Sequence, residues 1–504
     1  MKKFIASVAA LTLICGAGSG YLPLPNTNVI EANAGYEQGK IYDGVTDDGF
    51  KFEVYGSYNS VWNGSKFVWE DIVYDYVVIT GYSGSSTTIE IPATIDDFPV
   101  TKIARGAFYN SKATKVVISD NVTSIGVQAF ADCKSLFSVT MGKNVEVIDK
   151  SAFEGCSALV RLNLNNKLVS IGETAFRSCS SLYEAELPNS IMTLDSGAFM
   201  WCPELTKINI PDSVLTIGAR CFEGDKGIEE MVIPEDVATI GEGCFTDCTK
   251  LKSVTLPSNL AKLSDGVFQG CTSLASIDIP DSMKTIGNSA FSECESLTEI
   301  KLPNSVTTLG KSSFYGCKSV KEFTIPAKVT AIPDSCFMCC DELVKVNFPE
   351  NLKSIGTKAT ENCPKLKEAS IPKSVTTIGD YAFNYYELYH VHNFKYESDF
   401  IIKGYKGTAA ESYAKDNELT FIDLESAPAK VVYGDVNGDS NVTVADAVAI
   451  MQFLGNKDKY NLSAEARANA DCYNTGDGIT GSDALTIQKV DAGLIKLEDL
   501  PIKN

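Results

Sequence analysis

The amino-acid sequence predicts a mostly β solenoid followed by a small all-α domain with two loop-helix motifs. Two observations support this fold class. A 23-residue period runs through the middle of the chain, and two Asp-rich loops near the C-terminus are each followed by an apolar, helix-like segment. A fixed period in the twenties is typical of stacked coils, in which each coil buries its apolar face only against its neighbours.

The 23-residue period is clearest at one aromatic position of the repeat. All steps along this series are 23 residues except the first, which is 22, and the series comprises Phe108, Phe130, Phe153, Phe176, Phe199, Phe222, Phe245, Phe268, Phe291, Phe314, Phe337, Thr360 and Phe383. One coil, residues 251–273, reads LKSVTLPSNLAKLSDGVFQGCTS. Its Leu and Val residues point inward from a short strand that Pro257 ends, because proline cannot donate to the ladder. The sequence therefore predicts a continuous apolar core built by stacking.

Thirteen of the sixteen cysteines follow the same repeat. Ten share one ladder position, namely Cys133, Cys156, Cys179, Cys202, Cys248, Cys271, Cys294, Cys317, Cys340 and Cys363, and three more, Cys221, Cys244 and Cys336, replace Ala at another. A cysteine that alternates with Ala acts as a small buried side chain. Parallel side chains on coils ~4.8 Å apart do not converge as a disulfide requires. No His cluster accompanies the ladder, so we predict free thiols rather than disulfides or zinc sites.

The repeat pattern L-x-x-V-x-L-P, continued by I-G-x-x-A-F-x-x-C, extends from about Ile91 to Phe383. It resembles the BspA-type leucine-rich repeats of bacterial surface proteins. The resemblance implies adhesion or protein binding, with no catalytic role attached to the repeat. Two coils depart from the pattern, since Asp225 replaces the ladder cysteine and Ala359-Thr360 lacks the phenylalanine. We expect these coils to be weaker or locally bent.

The regions on either side of the repeats have their own signals. The predicted organisation is a signal peptide at 1–34, an aromatic-rich β N-terminal cap at 35–90, the solenoid at 91–387, a C-terminal cap at 388–424, a linker at 425–433 and a final domain at 434–504. Lys2 and Lys3 precede an apolar stretch, and Ala32-Asn33-Ala34 is a candidate cleavage site. No other segment reaches ~18 apolar residues, so we expect no membrane span after cleavage. In the C-terminal cap we predict a helix from about Thr408, its N-cap, to Asp416.

The first Asp-rich loop has 12 residues, from 435 to 446. Oxygen donors fall at positions 1, 3, 5, 7, 9 and 12, which are Asp435, Asn437, Asp439, Asn441 through its carbonyl, Thr443 and Asp446. Calcium takes six to eight oxygen ligands, and alternating acidic and amide positions in such a loop supply them. The spacing therefore predicts a Ca²⁺ site.

The second Asp-rich loop is one residue longer, running from 471 to 483. Its candidate ligands are Asp471, Asn474, Asp477, Thr480 and Asp483. Asp477 lies six rather than seven residues before the last aspartate, so the individual ligands are less clearly defined than in the first loop. The sequence nevertheless predicts a second Ca²⁺ site.

The repeated loop-helix motif, GDVNGD…D followed by an apolar helix, resembles a dockerin of the cellulosome type over about Gly434 to Asn504. No helix precedes the first loop, unlike in an EF-hand. The resemblance implies folding coupled to calcium and binding to a cohesin domain of a scaffoldin. The cohesin contacts implied by it are Val444, Ala445, Met451, Gln452, Gly481, Ser482, Gln488 and Lys489. For Met451, simple filling of the core is an equal alternative.

Composition and residue content narrow the remaining functions. The formal net charge of −20 argues against nucleic acid as a partner, because phosphate binding needs basic patches. His390 and His392 are the only histidines, which confines any His-based triad to one short segment. A two-carboxylate glycosidase needs no histidine, but the regular repeat offers no insertion to form its cleft. We therefore expect a non-enzymatic protein.

The expected role combines these signals. The chain is predicted to be secreted, extracellular and associated with the cell surface through the cellulosome, with repeats that bind a protein or cell-surface ligand and a role in polysaccharide catabolism by association. The outward strand positions, including Ser276, Asp278, Glu299 and Lys301, contain no aromatic residue, so this face is a poor glycan platform. Two alternatives are a cryptic glycoside hydrolase and glycan binding by the N-terminal cap. The cap aromatics are Tyr55, Tyr58, Trp62, Phe67, Trp69, Tyr74 and Tyr76.

Overall fold

The structure, a computed structural model, is a β-solenoid with few helices, so the predicted fold class is confirmed. It describes residues 36–62, 67–383, 385–386, 395–396, 400–425, 433–437, 441–457, 459–473 and 478–501. The predicted signal peptide, both histidines and most of the predicted linker lie outside these residues. In the part that is described, no helix has the length and apolar character needed to cross a membrane.

Three long antiparallel strands precede the coils. They are β1 (Tyr36–Val45), β2 (Phe50–Trp62) and β3 (Phe67–Tyr82). β3 continues into the solenoid by pairing in parallel with Phe98–Ile103. Phe52 and Ile79 face the core and are buried. These strands therefore cover the apolar end that a stack of coils would otherwise expose.

Two rows of short parallel strands run along the coils. The ladder row consists of Thr88–Glu90, Lys115–Val117, Ser138–Thr140, Arg161–Asn163, Glu184–Glu186, Lys207–Ile208, Glu230–Val232, Ser253–Thr255, Glu322–Thr324, Lys345–Asn347 and Glu368–Ser370. The second row consists of Phe98–Ile103, with Thr94–Ile95 beside it, then Ser124–Ile125, Val147–Ile148, Ser170–Ile171, Thr193–Leu194, Thr216–Ile217, Thr239–Ile240, Lys262–Leu263, Thr285–Ile286, Thr308–Leu309, Ala331–Ile332, Ser354–Ile355 and Thr377–Ile378. The third side of each coil, here called the turn side, runs from the corner after the second row to the ladder cysteine.

A stack of phenylalanine rings fills the centre of the coils. From Phe108 to Phe337, consecutive ring centroids lie 4.9–5.9 Å apart and the rings are nearly parallel. Each buried ring contributes roughly 1.5–3 kcal/mol before entropy is subtracted. The stack is interrupted at Thr360, as the repeat indicated, and the Thr360 hydroxyl donates to the Ala382 carbonyl at 2.9 Å.

The ladder cysteines add a second column to this core. Each of the ten thiols donates to the carbonyl of the phenylalanine in the preceding coil, at Sγ to O distances of 3.0–3.3 Å. The fifteen cysteines in the described part of the chain are free, and all but Cys339 are buried. Burial raises the pKa of the Cys336 thiol to about 12. The thiols are therefore packing groups, as predicted, and also hydrogen-bond donors between coils.

The two irregular coils coincide with breaks in the ladder row. Within the described strands, pairing stops between Lys207–Ile208 and Glu230–Val232, on either side of Asp225. It stops again between Lys345–Asn347 and Glu368–Ser370, on either side of Thr360. Both departures from the repeat therefore fall at a break in the ladder row.

Regular coils also interrupt the ladder row. Ser138–Thr140 and Arg161–Asn163 do not pair with each other, although both coils keep the repeat pattern. The expected strands at 276–278 and 299–301 do not form, which corrects the prediction of a continuous ladder. The second row and the core still join the coils that contain these two segments.

The C-terminal cap consists of a strand, a helix and a strand, as expected. Ile401–Gly404 pairs with Glu368–Ser370 and with Thr420–Asp423, and helix α1 (Ala409–Asp416) connects the two strands. Two further short strands, Tyr385–Tyr386 and Lys395–Tyr396, pair with each other. Thr408 precedes the helix, but its hydroxyl donates to the Tyr405 carbonyl and caps no helical N–H. Thr408 is therefore the N-cap residue, as predicted, without a side-chain capping bond.

The last region contains three helices and a short 3₁₀ turn. The helices are α2 (Val444–Gly455), α3 (Ala464–Ala470) and α4 (Gly481–Asp491), and the turn is Leu497–Asp499. They enclose a small core of their own, made of Val436, Ala447, Ile450, Ala470, Cys472, Ala484 and Ile487. The core positions of α2 and α4 correspond, because Ala447 and Ile450 match Ala484 and Ile487.

Candidate functional site

The first Asp-rich loop is closed by the carboxylate of Asp446. Thr443 caps α2, and Asp446, three residues later, accepts the Thr443 N–H at Oδ2, a reciprocal capping box. The other oxygen, Oδ1, accepts the backbone N–H groups of Val436 at 2.8 Å and Asn437 at 3.0 Å. One buried carboxylate thus joins the end of the loop to its beginning.

The second loop repeats this geometry around Asp483. Its Oδ2 accepts the Thr480 N–H at 2.8 Å, and its Oδ1 accepts the N–H groups of Cys472 at 2.9 Å and Tyr473 at 2.8 Å. The matching bonds align Asp471 with Asp435. The additional residue of the second loop therefore falls between Tyr473 and Thr480, a register that the spacing of aspartates alone did not define.

The structure describes most of the predicted metal ligands but not all of them. Asp439, Asn474 and Asp477 lie outside the described residues. Among the described ones, Asp435, Asp446 and Asp483 are buried, Thr443 and Thr480 are half-buried, and Asn437 and Asn441 are exposed. Asp471 lies at the C-cap of α3, at the entrance of the second loop. No group of three or more His, Cys, Asp or Glu residues suited to a metal occurs within the described ranges.

The donor chemistry of the loops fits a hard divalent cation. All the described candidate ligands present oxygen, which Ca²⁺ prefers. A buried carboxylate needs a nearby positive charge or several hydrogen bonds. In the described part of the chain, no Lys or Arg forms an ion pair with Asp446 or Asp483. The N–H bonds take three of the about four acceptor sites of each carboxylate, and in the second loop the Thr480 hydroxyl, 2.9 Å from Asp483 Oδ2, takes the fourth.

Helix α2 exposes an apolar stripe directly after the first loop. Val444, Val448 and Met451 lie on one face and are 51%, 48% and 54% exposed. Ala445 and Gln452, also predicted as contacts, are exposed beside them. The exposure of Met451 excludes its role as a core filler.

Helix α4 presents the corresponding surface after the second loop. Gly481, Ser482, Gln488 and Lys489 are exposed as the resemblance implied. Leu485, at the position equivalent to Val448, is 50% exposed. The sequence reasoning missed both Val448 and Leu485. The core of this region takes Ala447 and Ile450 from α2 and Ala484 and Ile487 from α4. An apolar residue next to these positions in the sequence, such as Val448 or Leu485, was the signal that could have indicated an exposed contact.

The aromatic residues of the N-terminal strands pack largely against one another. Tyr55 stacks on Tyr76 at a centroid distance of 5.4 Å, and Tyr74 stacks on Phe98 at 4.7 Å. Tyr58 is half-buried. The side chains of Trp62, Phe67 and Trp69 lie outside the described part of the structure. The described rings therefore pack in pairs on the sheet, with Tyr74 still 39% exposed.

The coils match a known repeat family and resemble solved structures of similar repeats. The model of the BspA type leucine rich repeat region matches six copies, at residues 101–229, 215–341 and 262–390. A leucine-rich repeat protein from Bacteroides ovatus has a similar crystal structure, with a TM-score of 0.53 and 24% identity over 76% of this chain and 100% of that one. A leucine rich cell surface protein from Faecalibacterium prausnitzii is 25% identical over 61% of this chain and 94% of that one, with a TM-score of 0.38.

A curated xylanase/beta-glucanase of Ruminococcus flavefaciens is 40% identical over 65 residues, which is 11% of this chain and 8% of that enzyme. The chain thus spans less than a tenth of that relative, and the match does not establish catalysis in this chain. The repeat-family match, in contrast, covers more than half of the sequence and includes the phenylalanine and cysteine columns described above. The chain belongs to the BspA-type leucine-rich-repeat family.

Proposed function

We propose that the chain is a non-catalytic component of a cellulosome. In this proposal, a C-terminal dockerin-like module binds a cohesin domain of a scaffoldin in a calcium-dependent way, and the repeats bind a protein or cell-surface ligand. The protein would be secreted, held at the cell surface through the complex, and would contribute to polysaccharide catabolism by association.

The observation that carries the proposal is the duplicated loop geometry around Asp446 and Asp483. Two calcium ions would neutralise buried carboxylates in loops whose ends are already joined by the same set of hydrogen bonds. The first ion would be held by Asp435, Asn437, Asp439, Asn441, Thr443 and Asp446, and the second by Asp471, Asn474, Asp477, Thr480 and Asp483.

The position of the helices connects metal binding to docking. Helices α2 and α4 both begin at the threonine that each loop-closing aspartate holds. Loss of the ion would leave a buried negative charge beside each helix N-terminus and loosen the start of the helix. Val448 and Leu485, which lie in the second turn of each helix, would then lose their fixed positions. A calcium-controlled partner surface follows from this arrangement.

The repeat region supports a binding role rather than catalysis. Leucine-rich-repeat proteins generally bind protein ligands, and the BspA-type family is typically found on cell-surface proteins. The exposed ladder positions are mostly charged and polar residues, and a few of them form exposed ion pairs, such as Arg161 with Glu184. Such pairs add little stability, so the charges remain open to a partner.

Calorimetric titration of the full chain against a panel of cohesin domains tests the proposal. We expect binding to at least one cohesin in calcium and none in excess chelator. The helical signal of the C-terminal region should fall when calcium is removed and return when it is added. If that signal is unchanged by the chelator and every cohesin fails to bind, the docking function is wrong.

The cryptic glycoside hydrolase alternative is tested separately. The purified chain, incubated with cellulose, xylan, β-glucan and starch, should release no reducing sugar. Turnover would contradict the non-catalytic assignment without bearing on the docking module.

A further inference from the structure

One left-handed backbone position recurs on the turn side of the coils, directly before the ladder cysteine or its replacement. Its φ values lie between 55° and 77°. The residues there are Asn110, Asp132, Gly155, Ser178, Trp201, Gly224, Asp247, Gly270, Glu293, Gly316, Cys339 and Asn362. Glycine and asparagine tolerate this conformation, whereas a bulky side chain is disfavoured. Most of these residues are small; Glu293 has a long side chain, and Trp201 is the one aromatic residue of the series.

Packing does not compensate for the unfavourable conformation of Trp201. The side chain is 55% exposed, so it contributes little to the core. Its ring lies beside Gly224 of the next coil, where a Cβ atom would be 3.6 Å from Cγ of the ring. Glycine at that position leaves space over the indole. Residues in backbone conformations that are unfavourable for their side chains cluster at binding sites.

Trp201 forms one wall of a surface cleft. Pro203 and Gly224 provide the remaining apolar surface, and the polar rim is formed by Ser178, Ser180, Glu223, Lys226 and Asp247. The Lys226 ammonium and the Asp247 carboxylate take part in no ion pair within the described part of the chain. The cleft therefore combines one flat exposed ring with hydroxyl, carboxylate and ammonium groups.

A second depression of about 390 Å³ continues from this cleft, and Glu223 lines both. A second left-handed position recurs in each coil, and Gly243 and Gly266 occupy it in two consecutive coils. Arg220 and Ser289 occupy it in the coils before and after them, and the depression opens at the two glycines. The missing side chains create the groove. Its walls are polar and come from Glu242, Thr246, Asp265, Gln269 and Asn288.

The polar groups of the groove are partly held in place. The Asn288 amide donates to Asp265 Oδ2 at 2.8 Å, and the Thr246 hydroxyl donates to the Gly266 carbonyl at 2.9 Å. Preorganised polar groups bind a ligand with less loss of side-chain entropy.

We propose that Trp201 and this groove form a saccharide-binding site, with one pyranose ring stacked on the indole and further sugar units extending along the groove. A pyranose has an apolar C–H face, which matches an exposed aromatic ring, and a rim of hydroxyls that donate and accept hydrogen bonds. The carboxylates of the site accept hydrogen bonds, and its amides and hydroxyls both donate and accept them. Four acidic residues, Glu223, Glu242, Asp247 and Asp265, outnumber the two basic ones, Arg220 and Lys226, and Arg220 is ion-paired with Glu223. This excess of negative charge favours a neutral glycan over an anionic ligand.

The site is distinct from the N-terminal aromatic strands and does not depend on the docking module. The full chain in calcium should be titrated with cello-, xylo- and manno-oligosaccharides of one to six units, using tryptophan fluorescence and calorimetry. We expect at least one series to bind, with affinity increasing from the monosaccharide to the trisaccharide.

Trp201→Asn is the decisive variant, because Asn occupies the same position at Asn110 and Asn362. It should lower saccharide affinity by about tenfold or more and should raise the melting temperature, because Asn suits the left-handed conformation better. Trp201→Phe should retain part of the affinity. Trp69→Phe, in β3, is the matched control and should leave binding unchanged.

The groove is tested by Gln269→Ala, which should weaken trisaccharide binding and leave the monosaccharide unaffected. If no saccharide in the panel binds, or if Trp201→Asn binds as tightly as the natural chain, the proposal is wrong. Loss of binding in Trp69→Phe alone would place the site in the N-terminal strands and would equally overturn it.

Discussion

The Oδ1 atom of Asp225 accepts a 2.6 Å hydrogen bond from the backbone N–H of Cys202, one coil earlier in the stack. Asp225 is fully buried, and its second oxygen, Oδ2, has no hydrogen-bond partner. In the neighbouring coils this position holds a thiol that donates to a phenylalanine carbonyl. A carboxyl group thus stands where the repeat favours cysteine, and it is only half satisfied.

Replacing Asp225 by cysteine should stabilise the solenoid. The thiol can donate to the Phe199 carbonyl, as its equivalents do, and the unsatisfied buried oxygen is removed. We expect a gain of about 1–3 kcal/mol at neutral pH, measured as a shift in the thermal or urea transition under reducing conditions. Asp236→Cys, at an exposed position, should leave the transition unchanged. A less stable Asp225→Cys chain would contradict this prediction, because it would show that the buried carboxyl adds to the free energy of unfolding.

Asp225 should also make stability depend on pH. Burial raises the pKa of its carboxyl well above the ordinary value of 3.8. The contribution of the neutral group is fully present below pH 3.8 and is lost as pH rises towards the folded-state pKa, because only the unfolded chain ionises there. The stability advantage of Asp225→Cys should therefore grow as the pH rises above 4, until the pH reaches the folded-state pKa of Asp225. Melting temperatures at pH 4, 5, 6 and 7 measure it, and a constant difference would contradict the assignment.

Cys339 should be the most reactive of the described thiols in the folded protein. It is the one described cysteine that is not buried, whereas the ladder thiols are enclosed. Burial still raises its pKa, so reaction should quicken at alkaline pH. Labelling with a thiol reagent before and after denaturation should show that Cys339→Ala removes the fastest of these reactions. Cys317→Ala should not, and an equal effect of both would contradict the exposed position.

Asp446→Asn and Asp483→Asn should each weaken calcium binding by about tenfold or more, equal to about 1.4 kcal/mol. The amide still accepts one hydrogen bond but removes the charge that a divalent ion requires. Asp491→Asn, at the end of α4 and outside both loops, is the control for the change in charge. Calcium titration calorimetry measures the effect. If both loop variants bind calcium normally, the loops are not the metal sites.

Val448→Asp combined with Leu485→Asp should weaken cohesin binding by about tenfold or more without changing calcium affinity. Both side chains are exposed, so the helices should still fold, while a charge in an apolar contact opposes desolvation. The single variants identify which helix carries the contact. Val73→Asp, at an exposed valine in β3, should have no effect. Unaltered binding by the double variant would exclude this surface as the contact.

The 23-residue period predicts most of the fold, because the core consists of residues that recur at that spacing. The breaks in the ladder row at 276–278 and 299–301 could not be predicted, since their sequences keep the alternating pattern and the loss lies in backbone pairing between coils. Trp201 was overlooked because hydrophobic patterning does not report backbone conformation. Its signal was nevertheless present, as a tryptophan in a column rich in Gly, Asn, Asp and Ser.

The candidate metal loops show a similar division. The aspartate spacing located both loops, but the bonds from Asp483 to Cys472 and Tyr473 were needed to align them. Each loop-closing aspartate, Asp446 or Asp483, follows a threonine by three residues, which is the spacing of a capping box. The same residues also fit the spacing of calcium ligands, so the capping box was not recognised in the sequence. Val448 and Leu485 were recognised as candidate contacts only from their exposure in the structure, because the sequence alone would also allow them to face the small core.

Each ladder thiol bonds to the coil before it, and the rings of the phenylalanine stack pack against their neighbours above and below. Insertion or removal of one complete 23-residue unit would therefore preserve every type of contact while changing the length of the molecule. The length of the solenoid can therefore change in evolution without a change in how each coil folds. A single coil, such as the one that carries Trp201, can also acquire a specialised surface while the neighbouring coils keep the solenoid stable.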